Sequence, residues 1–561
     1  SMQSCILNRQ EAAAMTNNIN QNNKSSSVAE IILYTIKSRL LLSFAIVSAV
    51  VMAIVTSLFP PLILGGIIDA MTAGQAVNWG MILAYFGLIV LTGLMEAARE
   101  ALLTVFGQKI THALRSGLMD KFTRLTADCL NKQEPGAVVS RFVGDVDTVE
   151  ALFTSGIISM FADVCRIISI LAVIWFRNKG LAIVIVVLLP FLFWFTRHVQ
   201  KNMLSAQIAN RRAVSRASGH VPETLHNIRT VHALGREKYM EQRYDEYISE
   251  GYRAMEKTNF YDAIYSPVIL ILNAVVIAVV MLFSASGNPA VLTLFGMSAG
   301  TAVAVMNYIS QIFSPVESLG MEIQTIQSAL AGVKRIDEFL AQDEFAKQDT
   351  KAPDGPVVRF DNVTFGYDDK NILNDFSFEV RTGEQVTLSG RTGAGKSTIF
   401  KLILGLYRPD RGSVTIGGVN SADIPDKEKR RLFGYVEQSF HMVPGTVKDQ
   451  ITLFDESVTM DEVKKAAELT GLDDAIMSLP DGYDTKCTAD IFSQGQWQLL
   501  SIARAAAAQP KLLLLDEITA NLDADTEKTV LSALKRVSEN RTVISISHRV
   551  NASAGRIITI G

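Results

Sequence analysis

Hydrophobic positions run in long unbroken stretches along the first part of the chain and, past about residue 340, in short ones. A helix that crosses a bilayer needs about 20 predominantly apolar residues. Six stretches qualify: 40–64, 81–106, 152–176, 181–195, 263–283 and 291–313. The fourth is short if it stops at residue 195, but its helical pattern continues beyond that point. The connectors between the second and third runs, and between the fourth and fifth, are amphipathic rather than low in complexity. Both are far longer than ordinary loops. They read as helices that leave the membrane, turn at Glu134-Pro135-Gly136 or at Gly219-His220-Val221-Pro222, and return. Roughly 25 helical residues each way, at about 1.5 Å per residue, would carry each turn some ~35–40 Å into solvent. A soluble domain inserted in these loops is excluded, because each half is too short to build its own core.

A further helical stretch, 317–340, leads into a polar segment in which Ala352-Pro353-Asp354-Gly355 reads as a linker. From Val357 onward short β runs alternate with helices, the pattern of a soluble α/β domain. The expected organisation is a polar N-terminal tail over 1–27 and an α-helical six-span transmembrane domain with long cytoplasmic extensions over 28–340. A linker over 341–355 and an α/β P-loop domain over 356–561 complete it.

Composition agrees with a membrane part. A hydrophobic fraction of 48% is too high for a wholly soluble enzyme. A net charge of −3 gives no basic surface for nucleic acid. Cys5, Cys129, Cys165 and Cys487 are scattered without metal-ligand spacing, so neither a disulfide framework nor a zinc site is expected. No signal peptide is expected before the first apolar run. Lys37 and Arg39 precede that run, the connector 65–78 carries no Lys or Arg, and the two long connectors are basic. By the positive-inside rule both termini are cytoplasmic, with Arg177 and Lys179 a minor exception.

The soluble part carries the chemistry. Gly390-Arg391-Thr392-Gly393-Ala394-Gly395-Lys396-Ser397-Thr398 follows a strand-like run and opens a helix-like one, the context a P-loop requires. Its glycines let backbone amides curl around phosphate oxygens, and the helix N-terminus adds partial positive charge. Lys396 would reach the β- and γ-phosphates of ATP and Ser397 would ligate Mg2+. Downstream, an apolar strand ends in Asp516-Glu517, where Asp516 would hold Mg2+ and Glu517 would polarise the attacking water. His548 follows another strand and could touch the γ-phosphate; Tyr367 could stack on a purine ring.

Tyr367, the P-loop, Gln438, Phe492-Ser493-Gln494-Gly495-Gln496, Asp516-Glu517, Asn521-Leu522-Asp523 and His548 occur in that order. Together they resemble the ATP-binding cassette of ABC transporters, and six spans placed before the cassette resemble an exporter-type half-transporter. The resemblance implies that Tyr367 is the adenine platform and that Gln438 joins Ser397 and Asp516 around Mg2+. It further implies that Asp523 lies in the D-loop, that His548 is the switch histidine, and that two chains dimerise head to tail. Each ATP would then lie between one chain's Walker motifs and the other's signature. Segments 136–144 and 219–228 would be the coupling helices.

One departure from the family pattern stands out. The signature, usually Leu-Ser-Gly-Gly-Gln, has Gln494 where glycine is expected, and the preceding 486–491 lacks the usual Gly-Glu-x-Gly. Lys396, Asp516, Glu517 and His548 are intact. The combination resembles the catalytic-glutamate chain of a heterodimeric bacterial exporter, whose partner offers an unaltered signature. A homodimer tolerating Gln494 is the alternative. The function expected is ATP-driven export of a small molecule, drug, peptide or lipid across a bacterial cell membrane. An importer, a lipid flippase or an ATP-gated channel on the same fold are the alternatives. Asp163 and Arg166, three residues apart within the third run, could pair, and Glu96, Arg99 and Glu100 form a similar cluster on the second; such residues either line a substrate cavity or form an interhelical ion pair. Met297, Met306, Asn307 and Gln311 of the sixth run could line the same cavity, though Met there is more often core.

Overall fold

The computed structural model describes residues 27–284, 296, 298–344, 352–367, 370–391, 393–516, 518, 523–546 and 555–560. They form two compact units: one of residues up to Thr123 together with Gln133–Gln342, the other of Arg124–Lys132 together with Asp343–Gly561.

The first unit is helical. Its elements are α1 (Val28–Ser38), α2 (Leu40–Thr72) and α3 (Trp79–Arg124), which ends at the unit boundary. The helix α4 (Ala127–Asn131) belongs to the second unit. Then come α5 (Pro135–Ser140), α6 (Val146–Ala151), α7 (Ile157–Arg177), α8 (Lys179–His226), α9 (Ile228–Ala233), α10 (Glu237–Ser284) and α11 (Ala299–Leu340). Two π-helical turns, Arg141–Asp145 and Leu152–Gly156, join α5, α6 and α7 into one long rod. Among the described residues five helices are long and apolar enough to cross a membrane: Leu40–Thr72, Trp79–Arg124, Pro135–Arg177, Lys179–His226 and Glu237–Val279. The sixth expected span begins in residues outside the described ones, and its remainder is the first part of α11.

Many large apolar side chains on these helices face outward, Leu41, Phe44 and Phe176 among them. That is the pattern of a lipid-facing surface rather than of a soluble bundle. Inside, Ile170, Ile174, Leu181, Leu192, Val276, Tyr308, Ile309 and Ile312 pack as one core. Tyr308 satisfies its buried hydroxyl by donating to the Leu58 carbonyl at 2.5 Å. Glycine permits the closest helix contact, between α2 and α11. A Cβ on Gly300 would lie 1.8 Å from the Gly65 carbonyl oxygen. Asp69 then caps α11, accepting from the Gly300 amide at 2.8 Å and from the Ser298 hydroxyl at 2.7 Å.

The connector turns differ from expectation. Pro135 does not mark the tip of the first connector. It begins α5, where its missing N–H is harmless. The helix breaks over 132–134, so Glu134 is non-helical as expected, and also at 125–126, where Thr126 caps the short α4. In the second connector α8 runs straight through Gly219 and Pro222 to His226. The reversal comes after α9, where Gly235 takes a left-handed φ of 59°.

The second unit holds two sheets. Strands β1 (Val358–Tyr367), β2 (Lys370–Val380), β4 (Arg411–Ile416) and β5 (Val419–Asn420) make an antiparallel sheet in the order β2-β1-β4-β5. Strands β3 (Gln385–Gly390), β6 (Phe433–Val436), β7 (Leu512–Asp516), β8 (Thr542–Ile546) and β9 (Arg556–Ile560) make a parallel one in the order β6-β7-β8-β3-β9. Strand β7 is apolar up to Asp516 and buried throughout those leucines, as expected of a strand covered on both faces, and β3 buries Val386, Thr387 and Leu388. Around them lie α12 (Lys396–Ile403), α13 (Asp426–Leu432), α14 (Val447–Thr452), α15 (Met460–Thr470), α16 (Asp473–Met477), α17 (Gln494–Ala506) and α18 (Ala524–Ser538). A separate core joins α14, α15, α17 and α18 through Ile451, Val463, Leu500 and Val530.

Candidate nucleotide site and membrane cavity

In a parallel sheet the carboxyl ends of neighbouring strands share one edge, and ligands bind there. The P-loop leaves β3, Asp516 ends β7, and Gln438 follows β6. Gly393 and Gly395 adopt left-handed φ angles of 85° and 97°, which turn successive amides inward. Gly390 is required for another reason: a Cβ there would stand 2.6 Å from the Ile560 carbonyl oxygen of β9. Gly395 caps α12, so Lys396 and Ser397 open its first turn. Lys396 is buried, its Nζ donating to the Gly390 carbonyl at 2.9 Å and the Arg391 carbonyl at 3.1 Å. Thr398 is buried, while Arg391, Gly393 and Ser397 are exposed and Ala394 is half-buried. Thr392, Glu517 and His548 lie outside the described residues.

Asp516 is half-buried, and Tyr435 of β6 hydrogen-bonds its carboxylate. Burial, and then the Asp516 charge, push the Tyr435 hydroxyl far above its ordinary range, so it remains a donor. Sequence reasoning missed Tyr435, although its place in Phe433-Gly434-Tyr435-Val436, beside the strand that ends in Asp516, was a usable signal. An exposed Ser397 hydroxyl and the Asp516 carboxylate are hard oxygen donors. They fit Mg2+ held together with phosphate oxygens rather than a thiolate or imidazole metal. No cluster of three or more metal-ligating His, Cys, Asp or Glu occurs among the described residues.

Tyr367 ends β1. Its ring meets Phe365 and Tyr407 edge-on, and the Lys401 ammonium lies 5.2 Å from its centre. The Tyr407 hydroxyl in turn accepts from Asn131 Nδ2 of α4 at 2.8 Å. A short aromatic path thus links the expected adenine platform to that helix.

The signature motif begins α17. Ser493 is its N-cap and forms a capping box with Gln496. Gln494 is exposed at the first helical position, whereas Gly495 is buried. A Cβ on Gly495 would fall 2.3 Å from the Thr526 methyl group. Asp523 holds Thr526 there, accepting from its amide at 3.1 Å and its hydroxyl at 2.8 Å. The same helix grips the segment after β6. Gln498 donates to the Gln438 carbonyl at 3.1 Å. Arg504 donates to the carbonyls of Gln450 at 2.6 Å and His441 at 3.0 Å, with its guanidinium 4.1 Å from the Phe440 ring centre. Burial, and then Arg430, lower the Arg504 pKa to about 10, so it stays charged at neutral pH.

Within the first unit a cavity of about 610 Å³ opens between α2, α3, α7 and α11. Glu96, Arg166, Asn307 and Gln311 are among its lining residues, and Met297 lies outside the described residues. The expected Asp163–Arg166 pair does not form. Arg166 reaches Glu96 on α3 at 2.5 Å, and Asp163 accepts from Ser318 on α11 at 2.5 Å. Both partners lie on other helices, which spacing along one helix does not reveal.

Residues 43–316 match the family described as ABC transporter transmembrane region, and residues 373–520 match the family described as ABC transporter. The chain is 29% identical over 528 residues to exp8 of Streptococcus pneumoniae, described as an ABC transporter ATP-binding protein; the match covers 92% of this chain and 88% of that one. It is 28% identical over 472 residues to a fatty acid ABC transporter ATP-binding/permease protein of Mycobacterium tuberculosis, covering 83% and 74% of the two chains. A solved structure of a bacterial Atm1-family ABC exporter with ATP bound matches with a TM-score of 0.74 at 26% identity, over 94% of each chain.

Proposed function

We propose that this chain, which belongs to the ABC transporters and joins an exporter-type membrane region to an ATP-binding cassette, works as one half of an asymmetric pump. ATP hydrolysis at the cassette drives membrane transport, and half-transporters act as dimers. In our reading the partner is a different chain. Lys396, the P-loop amides and Tyr367 bind ATP. Glu517 accepts a proton from the attacking water, and His548 and Gln438 sense the γ-phosphate. Mg2+ held by Ser397 and Asp516, with Gln438 beside it, would neutralise charge developing on the phosphates. The partner's signature closes this site. Ser493, Gln494, Gly495 and Gln496 close the partner's own.

The start of α17 supports the asymmetry. Ser493 and Gln496 build an ordinary capped N-terminus, so its amides are available to an anion. Gln494 stands exposed at that end, crowding the approach of a γ-phosphate where glycine would leave it open. The chain thus combines intact Walker residues with an altered surface for its partner. Basic inner connectors support cytoplasmic termini, and bacterial relatives support a bacterial cell membrane. A cavity with both polar and apolar lining supports an amphipathic cargo exported from the cytoplasmic side.

The test is ATP-dependent uptake of amphipathic dyes and fatty acids into inside-out vesicles containing the chain and its partner. Uptake that Lys396→Ala abolishes supports the pump. Flux that runs only down the dye gradient, with ATP merely opening the path, would replace it by a gated channel.

A further inference from the structure

Glu322 on α11 is buried, 5% exposed, and its Oε2 has no hydrogen-bond partner among the described residues. It lies one turn beyond Ser318, whose hydroxyl is bonded to Asp163, and two turns beyond Ser314 at the cavity wall. Residues 307, 311, 314, 318 and 322 recur at helical spacing, so the polar stripe lining the cavity continues along one face of α11 to Glu322. The charge that acts on Glu322 is that of Asp163, which has the same sign. Arg166, the cation at the cavity wall among the described residues, is already engaged by Glu96.

An unpaired carboxylate in so buried a place is expensive to maintain. Asp163 lies within the third apolar run, and ionisable groups inside a membrane span mark pathways rather than packing. Two like charges near enough to act on one another are relieved by a positive charge arriving beside them. We propose that Asp163 and Glu322 form a binding site at the end of the cavity for the cationic head of the transported molecule, so that the cargo is an organic cation with an apolar body. Asp163, already held by Ser318, fixes one side of the site; Glu322, with a free oxygen, supplies the attraction. The inference rests on the reading of the cavity as the transport path.

The test compares two probes of nearly identical shape and opposite charge, tetraphenylphosphonium and tetraphenylborate. Their equilibrium binding is measured on the full chain in lipid nanodiscs without nucleotide, with empty nanodiscs as baseline. The wild-type chain is expected to favour tetraphenylphosphonium at least tenfold. Glu322→Gln and Asp163→Asn should each weaken that binding about tenfold and leave tetraphenylborate unchanged, and Glu322→Asp should restore much of the preference. Equal binding of the two ions by the wild type would overturn the proposal. So would a Glu322→Gln variant that retains the preference, or one that loses both ions alike. These outcomes concern the site alone, since a failure of ATP-driven uptake in vesicles would instead remove the pump reading and leave the binding result standing.

Discussion

Arg504 links the helix that carries the signature to the segment that carries Gln438, and replacing it with methionine isolates that link. Its Nε and Nη1 donate to the Gln450 and His441 carbonyls at 2.6 and 3.0 Å. Hydrogen bonds from a charged donor are each worth about 1.5–3 kcal/mol net. The Phe440 ring under the guanidinium adds about 1–2 kcal/mol where water is excluded. The full sum is not lost, because methionine fills part of the volume and water can replace the guanidinium at the exposed His441 carbonyl. We expect a local loss of about 3 kcal/mol, equivalent to roughly a hundredfold in an opening equilibrium. Hydrogen–deuterium exchange of the full-length protein reads it directly, since locally opened segments exchange according to their own opening free energy. Amides in 438–446 should exchange about a hundredfold faster in Arg504→Met, with α12 and β3 unchanged. Arg504→Lys, which keeps the charge but not the fork, should fall between. Unchanged exchange in 438–446, or an equal rise throughout the cassette, would refute the assignment of Arg504 as a local clamp.

Gly300→Ala forces a methyl group against the Gly65 backbone, so the helices α2 and α11 must separate. Overpacking of this kind costs about 1–3 kcal/mol. The melting temperature of the detergent-solubilised chain should drop, whereas Gly87→Ala, with nothing near its Cβ, should leave it in place. Cys487 is buried, and burial raises its thiol pKa. At any given pH the folded protein therefore holds less Cys487 thiolate than the unfolded chain. Iodoacetamide at mildly alkaline pH should label it markedly more slowly before denaturation than after, and equal rates would contradict the burial.

The elements that position the nucleotide site were readable because each has a local cause. Alternating glycines before Lys396-Ser397 demand left-handed backbone, and an all-leucine run before Asp516 demands a strand covered on both faces. The long apolar runs likewise announce spans through length alone. What stayed hidden depends on partners far along the chain. Arg166 and Glu96 are 70 residues apart, and Ser318 and Asp163 are 155 apart. Nothing in the spacing of Asp163 and Arg166 says that each turns to a different helix. Breakers were misplaced for a similar reason. Pro135 is as compatible with a helix start as with a turn, and Pro222 is carried inside α8, while Gly235 makes the reversal. Tyr435 and Thr526 act on Asp516 and Gly495 through the fold, and neither belongs to a motif readable by itself.

The claim that the intact Walker side needs another chain's signature is tested most directly by steady-state ATP hydrolysis of the chain purified alone. The account predicts slow hydrolysis by the wild type, a rise of at least tenfold in Gln494→Gly as two equivalent sites become complete, and loss of that gain when Glu517→Gln is added. Fast, substrate-stimulated hydrolysis by the wild-type chain alone, unaffected by Gln494→Gly, would contradict it.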